Sequence, residues 1–117
     1  MIHTMRLAAV PFEAVASGRK TIEIRLNDEK RRRLRVGDNI VFVSAENPQR
    51  AVRVTVVALH PFPSFSALYA AFPPERCGYT PEEAAEARYT DMYRYYSPEQ
   101  ERQFGVLGIE IARIPEG

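Results

Sequence analysis

The stretch SGRKTIEIRL, Ser17 to Leu26, decides the predicted fold. Apolar and polar residues alternate along it, and this period of two predicts a β-strand. The two faces carry different residue types: Ile22, Ile24 and Leu26 on the apolar face, and Thr21, Glu23 and Arg25 on the polar face. Side chains on one face of a strand repeat about every 6.5–7 Å, so the polar face forms a ladder about 13 Å long. The ladder either faces solvent with a weak ion pair or lines a groove.

The flanking segments predict a small α+β fold. Residues 3–9 alternate weakly as a strand, and PFEAVASG places Pro11 at a first helical position and Gly18 just past the last. The Val36-Gly37-Asp38 turn leads into the strand NIVFVSA, and the loop ENPQR separates it from the longer strand AVRVTVVALH. A final strand, GVLGIEIARI, closes the sheet. The expected order is β-α-β-β-β, a helical insertion, then β.

Capping patterns predict short helices in the insertion. Ser64 precedes FSALYAAF, and TPEE and SPEQ place Thr80 and Ser97 before Pro, with Glu83 and Gln100 completing two capping boxes. The insertion is also the candidate lid that makes the polar ladder part of a groove.

Length and composition predict one domain over residues 1–117, with 45% hydrophobic and 26% charged residues. The net charge of +1 gives no global attraction to nucleic acid or membrane, so such a partner must meet a local patch. Cys77 is the only cysteine, which excludes an internal disulfide and a Cys-based zinc site. We expect a cytoplasmic protein with no metal, no cofactor and no membrane span.

Three groups of residues are candidates for chemistry. Lys20 lies at the start of the ladder strand, where a loop can turn it toward Glu23; such a pair exchanges a proton with a substrate or holds a polar ligand. Tyr95, in MYRYYSPEQ, belongs to a tyrosine cluster on which a base can stack, unless the cluster packs a helix onto the sheet. The third group is a basic run with a local excess of about +3, either a phosphate-binding patch or a solvated loop: Lys30, Arg31, Arg32, Arg33 and Arg35.

SGRKTIEIRL, followed by RVGDNIVF and the terminal YYSPEQERQFGVLGIEI, resembles the ASCH (activating signal cointegrator homology) family of the PUA-like superfamily. The resemblance implies a small mixed β-barrel with short helices packed at the rim. It also implies a positively lined cleft beside the first helix that binds RNA, a nucleoside or a nucleotide; a protein partner is a further possibility. The candidate ligand-binding residues are then Arg19, Lys20, Thr21, Glu23, Arg25 and Tyr95.

One bacterial branch of this family is similar in its motif, GRKTITIR, and hydrolyses N4-acetylcytidine. Its lysine matches Lys20, but its threonine three residues later is replaced here by Glu23. The alternative function is therefore an amidohydrolase for an N4-acylated cytidine. In that enzyme Glu23 would activate water and Lys20 would stabilise the oxyanion as the catalytic residues.

Overall fold

Five strands form one mixed, curled sheet in the computed structural model, which describes residues 1–115. The strands are β1 (Ile2–Leu7), β2 (Ile22–Leu26), β3 (Asn39–Ser44), β4 (Ala51–Phe62) and β5 (Val106–Arg113). Their order in the sheet is β1-β3-β4-β5-β2, with β1 parallel to β3 and all other pairs antiparallel. Because β1 and β2 are both edge strands and do not pair, the predicted barrel is a half-barrel with an open seam between them.

The helices follow the predicted order but not every predicted boundary. They are α1 (Ala9–Ala16), α2 (Phe65–Ala71), α3 (Pro81–Ala84) and α4 (Pro98–Phe104), with 3₁₀ turns at Arg31–Arg33, Pro74–Cys77 and Tyr89–Arg94. Pro11 is the third residue of α1 rather than the first. Proline is tolerated there because the first four amides of a helix have no intrahelical partner. Ala9 consequently belongs to α1, and β1 ends at Leu7.

β4 is longer than predicted because it includes Pro61 and Phe62. Its pairing with β3 ends at Thr55, so the following residues pair with β5 alone. A proline fits a strand where the ladder is one-sided, since its missing N–H leaves no central hydrogen bond unmade.

The local signals at the ends of elements are confirmed. The hydroxyls of Ser64, Thr80 and Ser97 each accept a hydrogen bond from the backbone amide three residues later. The side chains of Glu83 and Gln100 accept hydrogen bonds from the backbone amides of Thr80 and Ser97, which completes the two predicted capping boxes. These caps fix where the short helices of the insertion begin.

The sheet is covered by two apolar clusters. One contains Phe12 and Val15 of α1 together with residues of β1, β3, β4 and β5. The other joins the insertion to β2 and β5, and it buries the predicted apolar face of β2. The opposite face of β2 is not solvated, since Glu23 is only 3% exposed. Glu23 pairs with Ile109 of the first cluster, so its side chain lies on that side of the sheet, at the seam.

Among residues 1–115, no helix is long and apolar enough to cross a bilayer. Within the same range, no three His, Cys, Asp or Glu side chains are grouped closely enough to hold a metal ion.

Candidate functional site

A cleft of about 530 Å³ lies at the open seam of the half-barrel. The end of β1 and the start of α1 line one side, β2 lines the floor, and the insertion supplies the facing wall. The cleft therefore forms where two edge strands separate and a helical segment closes over them. The lining residues between the end of β1 and Arg25 of β2 are Arg6, Leu7, Ala8, Val10, Pro11, Lys20, Glu23, Ile24 and Arg25.

A buried ion set forms the floor of this cleft. The Lys20 ammonium lies 2.8 Å from Glu23 Oε1, and Arg25 Nε donates to Glu23 Oε2 over 2.8 Å. Burial alone would raise the pKa of Glu23, but the charges and hydrogen bonds of Lys20 and Arg25 outweigh it and lower that pKa below 4.5. Glu23 is thus an ionised carboxylate held between two cations.

The two cations keep donors that the protein does not use. Apart from its contact with Glu23, the Lys20 ammonium has no hydrogen-bond partner among residues 1–115. Arg25 donates through Nη2 to the Arg6 carbonyl, 3.2 Å across the seam, and its Nη1 has no partner in the same range. The floor therefore offers N–H groups to a ligand's carbonyl or phosphate oxygen.

The facing wall carries a directed chain of hydroxyls that ends on a carboxylate. The hydroxyls of Tyr69 and Tyr79 lie 2.9 Å apart, and Tyr79 donates to Asp91 Oδ2 over 2.7 Å. The Arg88 amide donates to the same oxygen over 3.2 Å. The Tyr79 hydrogen bond, with help from the Arg88 amide, holds the pKa of Asp91 below its usual range despite partial burial, while burial raises the pKa of Tyr69 to about 12. The wall therefore presents a carboxylate that can accept hydrogen bonds, whereas the two cations of the floor present donors.

The cleft is balanced in charge rather than positively lined, contrary to the expectation from the resemblance. Four basic and four acidic side chains line it. The difference arises because the insertion contributes three carboxylates and one arginine, and the sequence alone did not place them beside β2. The charged lining residues are Arg6, Lys20, Arg25 and Arg94, and Glu23, Glu83, Glu86 and Asp91.

Two of the predicted ligand-binding residues lie away from the cleft. Thr21 precedes β2 and accepts a hydrogen bond from Arg76 Nε over 3.0 Å. It lines a separate, smaller depression together with Arg113. Arg19 donates to the Gly78 carbonyl over 2.6 Å and ties the α1-β2 loop to the insertion. The Ile111 amide donates to the Thr21 carbonyl over 2.9 Å, so Thr21 continues the pairing with β5, but its hydroxyl contacts Arg76 and does not line the cleft.

The tyrosine cluster divides between the core and the cleft. Tyr95 lines the cleft and is 67% exposed, so one face of its ring is available for stacking. Tyr93 donates to Glu101 Oε1 over 2.6 Å and packs with Tyr96 against Phe65, which is the structural role that the sequence left open. Tyr96 also lines the cleft.

The basic run lies outside the cleft, beginning five residues after Arg25. Arg31 is paired with Asp28 at 3.4 Å, and Arg33 approaches Glu29 at 3.7 Å on the surface. Arg32 donates to a backbone carbonyl through Nε only. Lys30 and Arg35 are exposed and have no ion pair among the described residues. The run therefore keeps several charges directed to solvent.

Sequence reasoning missed the cleft residues that come from distant segments, namely Arg6, Tyr69, Tyr79 and Asp91. Only Asp91 had a local signal, since a carboxylate at the third position of a helical turn is typical of a cap. Cys77 also lines the cleft, where burial raises the pKa of its thiol to about 11, so the thiol is protonated at neutral pH.

The comparisons with known proteins agree with the fold. The family model described as the ASCH domain matches residues 5–115. The hypothetical protein PH0355 is 31% identical, with a TM-score of 0.79 over 97% of this chain and 100% of that one. Protein PF0455 from Pyrococcus furiosus is 29% identical, with a TM-score of 0.69 over 99% of this chain and 100% of the other. A mutant form of ZmASCH from Zymomonas mobilis shares the fold with a TM-score of 0.67 and 12% sequence identity. That match covers 95% of this chain and 67% of the ZmASCH chain. No curated protein matches the sequence.

Proposed function

This chain belongs to the ASCH domain family, and we propose that its cleft binds one nucleotide of an RNA chain with the base against the floor. The family is one of PUA-like domains with a general role in RNA binding. The observation that carries the proposal is the ion set of Lys20, Glu23 and Arg25, buried at the base of an open cleft with unused N–H donors.

A base fits this floor through its edge. Lys20 and Arg25 donate to a ring carbonyl oxygen, and Glu23 accepts from an amino group through the lone pairs left on its carboxylate. Tyr95, exposed at the mouth, stacks on the base or on its neighbour.

The phosphate backbone lies on the basic run rather than in the cleft. The cleft carries no net positive charge, whereas Lys30, Arg32 and Arg35 present cations on the surface just beyond Arg25.

Fluorescence anisotropy with a labelled single-stranded RNA tests the proposal. Lys20→Met removes a floor donor, so it should weaken binding at every salt concentration. Arg32→Ala combined with Lys30→Ala should flatten the slope of log K against log salt by about 0.7 for each phosphate group that is no longer bound. Arg53→Ala, an exposed arginine on β4 outside both surfaces, is the control that matches the single charge lost in Lys20→Met. The absence of RNA binding at low salt would refute the proposal.

Hydrolysis of an N4-acylated cytidine is the alternative function. The Lys20 ammonium in the floor favours it, because a cation there would stabilise an oxyanion. Glu23 suits it less, since both carboxylate oxygens contact cations and its lowered pKa makes it a weak base for water. The test is cytidine release from N4-acetylcytidine, followed by chromatography for the parent, Lys20→Ala and Glu23→Gln at a temperature where each is folded. Turnover lost in both variants would establish the hydrolase, and a folded parent without turnover would refute it.

A further inference from the structure

The cleft wall opposite the ion set holds a carboxylate oxygen that the protein leaves unused. Both hydrogen bonds to Asp91 reach Oδ2, from the Tyr79 hydroxyl and the Arg88 amide, and Oδ1 has no partner within the described part of the chain. Because Asp91 lines the cleft, this oxygen can accept a hydrogen bond from a bound ligand.

We propose that Asp91 selects ribose over deoxyribose by accepting a hydrogen bond from the 2′-hydroxyl of the nucleotide in the cleft. The proposal rests on the proposed function, because it requires a nucleotide whose base contacts the floor. It adds a role for a residue of the insertion: Asp91 determines which sugar the site accepts.

Glu23 and Asp91 lie at different depths in the cleft, and this difference determines which part of a nucleotide each one would meet. Glu23 is 3% exposed and lies at the floor, whereas Asp91 is half-buried and Tyr95 at the mouth is 67% exposed. A base that reaches the floor therefore leaves its sugar at the level of the wall. A hydroxyl is the sugar's only hydrogen-bond donor there, and the 2′-hydroxyl distinguishes RNA from DNA.

The charge of the wall favours a hydroxyl over a phosphate at this position. Glu83, Glu86 and Asp91 line the wall, and Arg94 is the one basic residue that the insertion contributes to the cleft lining among the described residues. A phosphate next to these carboxylates is repelled, whereas a neutral hydroxyl can donate to one of them.

The wall is also built to hold Asp91 in one orientation. The Tyr79 hydroxyl lies 2.9 Å from that of Tyr69 and donates its own proton to Asp91 Oδ2 at 2.7 Å, and the Arg88 amide donates to the same oxygen. A carboxylate fixed in this way keeps its acceptor in place before the ligand binds, so little ordering is needed on binding.

The experiment compares one sequence as RNA, as DNA containing deoxyuridine, and as 2′-fluoro RNA, by anisotropy with the intact protein. The 2′-fluoro strand keeps the ribose-like pucker but cannot donate. We expect the RNA to bind about tenfold or more tightly than both other strands, the size of one charge-assisted hydrogen bond.

Asp91→Asn is the matched variant, because its carbonyl can still accept from Tyr79 and Arg88 while its NH₂ replaces Oδ1. The preference for RNA should disappear in Asp91→Asn and shrink in Tyr79→Phe, which keeps the test usable if Asp91→Asn does not fold. Glu82→Gln, an exposed carboxylate of α3 that does not line the cleft, should keep the full preference.

The outcomes separate the two proposals. If the parent bound RNA and DNA equally, the role of Asp91 would be overturned while the RNA-binding proposal would stand. The same conclusion would follow if the parent bound the 2′-fluoro strand as tightly as the RNA strand. A preference for RNA that persists in Asp91→Asn would also overturn it. Failure of all three strands to bind would refute the proposed function, and the inference with it.

Discussion

Glu23→Gln should destabilise this protein far more than a change at an exposed carboxylate. Glu23 is 3% exposed and bonds through its two oxygens to Lys20 and Arg25, whose side chains are 10% and 14% exposed. The amide leaves these two buried cations without an anion and places its own N–H donors against one of them. Removing one partner from a buried ion set costs about 3–5 kcal/mol.

That loss is a large share of the total stability. Domains of this size unfold with about 5–15 kcal/mol, so Glu23→Gln removes about a third or more of a mid-range value. The melting temperature should fall by at least about 10 °C, since a domain of this length shifts by a few degrees per kcal/mol.

Urea unfolding followed by far-UV circular dichroism measures the effect. The matched control is Glu13→Gln, because Glu13 pairs with Arg50 on the surface and its side chain is 57% exposed. We expect the control to change the free energy of unfolding by less than about 1 kcal/mol. If Glu23→Gln costs no more than Glu13→Gln, the ion set is not held at the buried floor and the argument for the site fails.

The stability difference between the parent and Glu23→Gln should also depend on pH. The folded state holds the pKa of Glu23 below its ordinary value of 4.5, so the stabilisation from its charge is fully present above 4.5. It is lost as the pH falls through the lower folded pKa. The difference in unfolding free energy between the parent and Glu23→Gln should therefore be constant at neutral pH and narrow in acid. A difference that stays constant in acid would contradict the lowered pKa.

Two further variants test the insertion. Glu101→Ala removes a buried carboxylate that accepts hydrogen bonds from the Phe65 amide at the start of α2 and from the Tyr93 hydroxyl. The free energy of unfolding should fall by about 1–3 kcal/mol for each of these donors left unpaired. The control Glu99→Ala, at an exposed position on the same helix, should lower it by less than about 0.5 kcal/mol. Equal urea midpoints for these two would contradict the capping role. Gly78→Ala should weaken RNA binding, because Gly78 has φ +107° and a Cβ there would lie 3.2 Å from Lys20 Cδ. Gly37→Ala carries similar backbone strain at φ +94° with open space around it, so it should lower stability but leave the affinity unchanged.

The parts of the fold that sequence predicts correctly depend on short-range physics. The alternation in β2, the Gly37 turn and the caps at Thr80 and Ser97 each involve residues within about four positions of one another. Lys20 and Glu23 come together for the same reason, because they are three residues apart across the start of one strand.

The remainder of the site depends on contacts that no local pattern encodes. Tyr79 and Asp91 reach the cleft only because the insertion folds over the unpaired edge of β2. Thr21 shows the same limit: alternation placed it on the polar face with Glu23, and it does continue the pairing with β5, but its hydroxyl binds Arg76 instead of lining the cleft. The partner of this hydroxyl is 55 residues away in the sequence, so no local pattern could predict the contact.

The polar face of β2 serves the fold and the site through the same atoms. An unpaired edge strand exposes backbone groups that invite pairing with another strand, and inward-pointing charges at the edge prevent it. Arg25 does this here, since it donates across the seam to the Arg6 carbonyl of β1 while Glu23 holds it in place. The N–H groups left over on Lys20 and Arg25 at this seam are the ones that we propose a ligand would meet. Replacing Lys20 and Arg25 with apolar residues should therefore remove the proposed binding site and also leave the edge open to association with a second copy.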